Sequence, residues 1–383
     1  MGAVRQRGRR TIALAALVGA AAWAGLAAPS RAAEQPSFAP PTATATFLTG
    51  IDLREAVTLP SGTRRVDALV QTEGSPRTEV SPIKPFSAGP TSLSYTLQTP
   101  SGAVFPNTLV TLRFRVTLAD GSQVLGPTAE VHYDDTRYVW KTVTGTVVRV
   151  HWTDGGSDFG QRALAIADKA VADAAALFGV SETAPIDFYI YADRTAFYDV
   201  IGPALQENIG GLAEPSIRTL FANIGAANLN DPWVAIVVPH ELTHIVFGTA
   251  TGNPYHEPLH WLNEGLAVYL SAGYDATARS DVQQAVANGT LMPLSSLALS
   301  FPGSADRFSL AYDEAVSAID FMVRSDGRPA VVRLVRSYAQ GLTDDEAFKA
   351  GIGVDVAGFE AAWLADLGAP APSPFGPQPA PAG

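Results

Sequence analysis

The 383-residue sequence contains no cysteine, which excludes disulfides, thiol nucleophiles, iron–sulfur clusters and cysteine-ligated zinc together. Any metal in this chain has to be held by histidine, aspartate or glutamate. Charged side chains make up only 16% of the residues, below the roughly 25% usual in soluble domains. Positive charge is the scarcer sign, with 26 Lys and Arg against 37 Asp and Glu and a net charge of −11. The first 32 residues carry five arginines and no acid, and removing them from −11 leaves −16 for the rest. A chain of that charge has no basic footprint for phosphate, so nucleic acid is not an expected partner. Apolar residues at 47% and aromatics at 9% supply ample core material, and the length exceeds what one ordinary core fills. Two domains, or one with large additions, are expected.

Arg5, Arg7, Arg9 and Arg10 precede a run of small and apolar residues, 12–28, closed by Pro29-Ser30-Arg31-Ala32-Ala33. That is the layout of a secretory signal peptide (1–32) cut after Ala32. The run approaches the minimum length of a spanning helix, so a retained anchor is the competing reading. Without cysteine there is no lipoprotein anchor. No later segment reads as apolar enough to span a bilayer. The mature chain is therefore expected outside the cytoplasmic membrane, secreted or in the cell envelope, with no stable membrane insertion.

From about residue 42 to 135 the pattern has period two. Val110, Leu112, Phe114, Val116 and Leu118 alternate with Thr111, Arg113, Arg115 and Thr117, and Asp120-Gly121 marks a hairpin turn before Val124. Leu93, Tyr95 and Leu97 repeat the alternation. Several short half-buried strands predict an immunoglobulin-like β-sandwich over 34–137, serving either as a binding or spacer module or as a scaffold packed on the second domain. After Arg137 the grammar changes. A strand at 147–152 precedes a helix with apolar residues at Leu164, Ala167, Val171, Ala174 and Phe178, stopped by Gly179. Ile186, Phe188 and Ile190 mark another strand. Helical patterns come next at 233–247, 261–272, 312–324 and 329–338, with a Thr343/Glu346 capping box and a last helix ending near Leu367. The fold class read from this order is α+β, with a catalytic domain over 138–367 that has a small sheet and a mainly helical carboxy-terminal part. The tail, 368–383, is Ala, Pro and Gly and is expected to be disordered.

Chemistry concentrates in Pro239-His240-Glu241-Leu242-Thr243-His244. In a helix, residues four apart lie one turn above each other, so His240 and His244 can both place a ring nitrogen on one ion at about 2.0–2.1 Å. Glu241 lies about 100° round, beside the ion without ligating it, where a base acting on water must stand. A catalytic zinc takes three protein ligands and keeps a position for water. Twenty residues beyond His244, Glu264 sits in Trp261-Leu262-Asn263-Glu264-Gly265-Leu266-Ala267. A turn at Gly252-Asn253-Pro254 would bring that helix back beside the histidines, with Gly265 and Ala267 allowing close approach.

H-E-L-T-H followed by W-L-N-E-G-L-A resembles the gluzincin zinc metallopeptidases. The second string is reminiscent of the large zinc aminopeptidases, whereas length and layout are more similar to the smaller peptidase-MA-like family. The resemblance spans about 142–367 and implies His240, His244 and Glu264 as ligands of one Zn2+ per chain and Glu241 as catalytic base. It also implies a catalytic Tyr312, in Phe308-Ser309-Leu310-Ala311-Tyr312, which is similar to the family tyrosine ahead of a downstream helix and would assist the oxyanion; packing is the competing reading for that residue. A metzincin would need glycine and histidine at the positions of Phe247 and Ala250, and is excluded. The His244–Glu264 spacing is one residue longer than in the large aminopeptidases. Their G-x-M-E-N strand, whose glutamate grips the substrate amine, is matched here only by the glycines and Glu214 of Gly210-Gly211-Leu212-Ala213-Glu214-Pro215. Val268 stands where a thermolysin-type second-sphere aspartate would be.

A second H-E-x-x-H, His256-Glu257-Pro258-Leu259-His260, has Pro258 in its middle. Proline biases the residue before it away from the helical region, so His256 should fall ahead of the helix and not stack over His260; at most this pair is expected to contact substrate. His132 and His151 read as structural. The expected function is a secreted zinc metallopeptidase acting on peptide or protein substrates. Two alternatives stay open, a catalytically vestigial envelope binding or structural protein and a zinc-dependent hydrolase of non-peptide amides.

Overall fold

The computed structural model describes residues 34–202, 209–253 and 256–372. The expected signal segment and the tail from 373 onward lie outside the described residues. Period-two alternation in the first third folds into β1 (Ser37–Phe38), β2 (Thr42–Thr46), β3 (Gly50–Leu59), β4 (Thr63–Thr72), β5 (Glu79–Pro82), β6 (Gly89–Gln98), β7 (Thr108–Leu118), β8 (Gln123–Leu125) and β9 (Ala129–Tyr133). In one sheet β3 pairs with β6 and with β2 and β1; in the other β4 lies between β5 and β7, and β7 also pairs with β8 and β9. Every one of these pairings is antiparallel. Strand β7 alternates buried and half-buried along its whole length, and Ile51, Leu53 and Val57 of one sheet share a single apolar core with Val70, Leu112 and Phe114 of the other. These are the two layers that the alternation implied.

The second half runs β10 (Lys141–Thr144), β11 (Val148–Trp152), α1 (Ser157–Phe178), β12 (Ile186–Tyr191), α2 (Arg194–Ile201), β13 (Gly211–Glu214), β14 (Thr219–Asn223), α3 (Val234–Thr251), α4 (His260–Ser271), α5 (Ala276–Asn288), α6 (Ala305–Asp326), α7 (Arg328–Tyr338), α8 (Asp344–Ile352) and α9 (Val356–Leu367). Its sheet has the order β10-β11-β12-β14-β13, parallel through β11, β12 and β14 and antiparallel at both edges. The α+β reading holds. Helix α1 buries Leu164, Ala167, Val171, Ala174 and Phe178, as their spacing predicts, and ends at Gly179.

This sheet is covered on both faces. Val148, Val150, Phe188, Ile190 and Leu220 join the helical core, while Tyr191 and Phe221 join the β-sandwich core together with Phe197 and Val200 of α2. Strand β12, Ile-Asp-Phe-Tyr-Ile-Tyr, is thus buried on both faces, although Asp187, Tyr189 and Tyr191 share one of them. The one acid in it is fully engaged: Asp187 accepts from Arg149 Nε at 2.7 Å and Asn107 Nδ2 at 3.0 Å and contacts His151 Nε2 at 2.9 Å. Burial pushes that carboxyl up, but these partners hold it down at about 2. Asn107 precedes β7, so this network ties the sandwich to the second sheet. The described residues from Pro36 onward form one compact unit.

Two glycines set how closely the site elements approach. A Cβ on Gly211 would meet Glu241 Cγ at 3.0 Å, so glycine lets β13 lie directly on α3. A Cβ on Gly265 would stand 2.7 Å from the Ala315 carbonyl oxygen; the close approach expected at Gly265 is present, but it is with α6. Two helices were not read from sequence: α2 is only eight residues long, although it buries Ala196, Phe197, Val200 and Ile201, and α5 has too weak an apolar pattern, with only Ala278, Val282 and Ala285 buried. Helix α6 starts at Ala305, seven residues before the expected start, because its first turns are largely exposed and lack an apolar stripe. Helix α3 also departs from expectation. It is long and apolar enough, at a mean hydropathy of 1.2, to meet the composition of a membrane span, yet half of it is buried within this fold. A helix that is apolar all round suits a protein interior equally well.

Candidate metal centre

Helix α3 carries His240, Glu241 and His244, and α4 carries Glu264. The four-residue spacing puts both imidazoles on one face, with their Nε2 atoms 3.2 Å apart. Helix α4 packs beside α3 and places Glu264 Oε2 3.3 Å from His240 Nε2 and 3.7 Å from His244 Nε2. Ligand atoms of His240, His244 and Glu264 all lie within 4.8 Å of one another, and among the described residues this is the only such group. Glu264 is 9% exposed, and its Oε2 is buried without a hydrogen bond of good geometry. An unsatisfied buried carboxylate oxygen is costly unless a cation completes it. Two imidazole nitrogens and one carboxylate are a donor set that fits Zn2+ with an open position.

The charges of these groups are strongly coupled. Burial pushes the Glu264 carboxyl up, but attraction to His244 and His240 outweighs it and holds the group down at about 2. Burial pushes His240 down, and the neighbouring Glu264 and Glu241 more than reverse that. His244 Nδ1 pairs with Asn263 Oδ1 at 2.9 Å. An amide oxygen only accepts, so Nδ1 carries the proton and Nε2 keeps its lone pair facing the cluster. Asn263 thus stands behind His244 and holds its ring, a role that the sequence leaves unassigned. Its adjacency to Glu264 on a helix was the available signal.

Glu241 lies beside the cluster, not in it. Its Oε2 accepts from the Ala213 backbone N–H at 2.9 Å, a contact made possible by Gly211 two residues earlier on β13. Tyr312 also reaches the site, its ring 6.1 Å from that of His240. It lies inside α6 and not ahead of it. Burial, then the charges of Glu264 and Glu241, push its phenol well above the usual range. A cavity of about 950 Å3 opens over these residues, lined by β13 and the first half of α3 as well as Val268, Phe308 and Tyr312.

The second H-E-x-x-H does not assemble. Helix α4 begins at His260, so His256 lies outside it, 3.2 Å from Asp344 Oδ1 and stacked on Tyr338. His260 stands edge-on to Phe301 with Nε2 3.9 Å from Glu264 Oε1, close to the centre but outside the ligand group. His151 is stacked on Tyr189 and bonded to Asp187, and His132 sits in β9 opposite Leu109. Glu214, the remnant of the amine-gripping motif, accepts from Ser216 Oγ at 2.6 Å and Ser216 N at 3.3 Å. It caps the short turn after β13 and does not line the cleft.

Residues 166–369, just over half the chain, match the family model of the peptidase MA superfamily. Aminopeptidase M1-A of Oryza sativa subsp. japonica is 35% identical over 130 residues, covering 34% of this chain; the chain spans 14% of that relative's length. Among solved structures, an aminopeptidase N family protein from Idiomarina loihiensis aligns at 10% identity and a TM-score of 0.45, over 84% of this chain and 76% of its own. An M1 zinc metallopeptidase from Deinococcus radiodurans aligns at 16% identity and a TM-score of 0.37, over 88% and 93%. With the family match extending from within α1 past the end of α9, around the His240–His244–Glu264 cluster, the chain belongs to the peptidase MA superfamily.

Proposed function

We propose that this chain is an exported zinc-dependent peptidase in which His240, His244 and Glu264 hold one Zn2+ and Glu241 is the general base. The observation that carries the reading is the convergence of two imidazole nitrogens and a buried, unsatisfied carboxylate oxygen, with a second glutamate held just beside them. When bound, Zn2+ supplies Lewis acidity, lowering the pKa of water towards 7 and polarising the scissile carbonyl.

The chain's own residues do the rest. Glu241 takes a proton from the attacking water as the new C–O bond forms, then delivers it to the leaving nitrogen as the C–N bond breaks. The Ala213 N–H fixes Glu241 Oε2, leaving Oε1 for the water. Asn263 keeps the His244 tautomer that presents Nε2. Tyr312, kept protonated by burial and two carboxylates, donates to the oxygen on which negative charge develops. The arginine-led, small-residue layout of the first 32 residues supports export. The test is casein hydrolysis before and after dialysis against a zinc chelator. Activity should vanish and return on adding one equivalent of Zn2+; undiminished hydrolysis by the metal-free protein would contradict the reading.

A further inference from the structure

The cleft continues past the metal centre. The 950 Å3 cavity lies over the first half of α3, reaching Trp233 and Ile236, while a second cavity of about 390 Å3 lies over its last turns, reaching Phe247 and Asn253. The two share His244, His260, Asn263 and Pro215, so they meet at the proposed zinc ligand. We infer that they form one groove that seats an internal stretch of polypeptide, with large apolar side chains on both sides of the scissile bond, and that the chain is an endopeptidase. This inference rests on the proposed peptidase function and specifies its substrate.

Length fits an internal segment. From Val234 to Thr251 the helix rises about 27 Å, the span of roughly eight extended residues. Apolar character fits as well. Eight large hydrophobic side chains are exposed among the described residues, and four of them line these two cavities: Trp233 (38%), Ile236 (45%) and Phe308 (43%) in the larger and Leu299 (93%) in the smaller. Half of the exposed apolar set gathered at one groove marks a binding surface, since scattered single residues would need no explanation.

The charges present suit a chain without termini. An enzyme that removes terminal residues must hold an ammonium or a carboxylate beside the scissile bond. The carboxylates that line the larger cavity among the described residues are Glu241 and Glu264, already committed to the base and ligand roles. Glu214 is turned onto Ser216. The smaller cavity is lined by one carboxylate, the exposed Glu257, and no Lys or Arg lines either cavity among the described residues.

The experiment uses the zinc-loaded full chain and an internally quenched octapeptide with apolar central residues, prepared with a free amine and in an N-acetylated, C-amidated form. Cleavage should fall at an internal bond, with kcat/KM for the blocked peptide within tenfold of the free form. A loss of more than tenfold on blocking would overturn the inference while leaving the peptidase reading intact. Ile236→Asp and Leu299→Asp, one in each cavity, should each lower kcat/KM at least fivefold with zinc content unchanged; neutrality of either would refute a two-sided groove. Glu214→Gln, outside the groove, should leave kcat/KM for the free-amine peptide within threefold, and a larger loss confined to that form would reinstate a charged anchor for the terminus against the inference. If the zinc-loaded protein cut neither peptide nor casein, the peptidase reading would fall and this inference with it.

Discussion

Replacing Asn263 by alanine removes one hydrogen bond and no ligand, yet it should weaken the metal site measurably. In the structure Asn263 Oδ1 is the partner of His244 Nδ1 at 2.9 Å, and this bond favours the tautomer of His244 that keeps its Nε2 lone pair toward Glu264 and His240. Without it, the tautomer with the lone pair on Nδ1 becomes accessible and the ring is freer to turn. A neutral hydrogen bond contributes about 1 kcal/mol to stability, but outer partners of metal-bound histidines typically change metal affinity 10–100-fold, about 1.4–2.7 kcal/mol. The measurement is zinc affinity by competition with a chromophoric chelator at pH 7, with thermal melts of the metal-free proteins as a control for folding. Asn263→Ala should raise the Kd at least tenfold with little change in the metal-free melt. Asn263→Asp, which keeps an acceptor at that place, should stay within threefold of wild type or bind more tightly. A Kd within twofold of wild type for Asn263→Ala would refute the supporting role.

Tyr312→Phe should lower kcat about 10²-fold with little change in KM, as expected for a hydrogen bond made mainly in the transition state; an unchanged kcat would return Tyr312 to a packing role. Among metal-site variants, His240→Ala, His244→Ala and Glu264→Ala should each lose zinc by elemental analysis, while the double change of His256 and His260 to alanine keeps one zinc per chain; the reverse pattern would transfer the site to the second motif. Glu314 is fully buried in α6 and accepts from the Met292 N–H, and burial raises its carboxyl from 4.5 to about 8. The folded chain thus holds a proton that the unfolded chain releases above about 4.5, so stability falls as pH rises from about 4.5 to 8. Glu314→Gln should flatten that decline in Tm and melt higher than wild type at pH 8; an equally steep decline would rule Glu314 out as its source.

That His240, His244 and Glu264 come together was legible because helical geometry is local. His240 and His244 are one turn apart on any helix, and the length between His244 and Glu264 leaves room for one reversal of direction. What sequence could not supply is non-local or depends on which way a side chain faces. Ala213 acts on Glu241 through its backbone N–H across 28 residues, a contact that arises from β13 pairing at the sheet edge beside α3 and leaves no residue-type signal beyond Gly211. Glu214 kept the residue type of an amine-gripping glutamate, but its carboxylate caps Ser216. The sandwich strands announced their inward residues by alternation, whereas β12 hid its two-faced burial behind Tyr189, Tyr191 and Asp187, whose polar groups are satisfied inside the protein. Helix α5 was missed because three buried residues make too faint a stripe, although Asp275 caps its start and Gly289 its end.

The central claim is that Glu241 moves the proton while His240, His244 and Glu264 hold the metal. It is tested most directly by the hydrolysis rate of Glu241→Gln in protein verified to carry one zinc per chain. The amide keeps the size and place of the side chain but cannot accept the water proton, so peptide hydrolysis should fall by at least 10³-fold with the metal still bound. Hydrolysis within tenfold of wild type in the zinc-loaded variant would contradict the account.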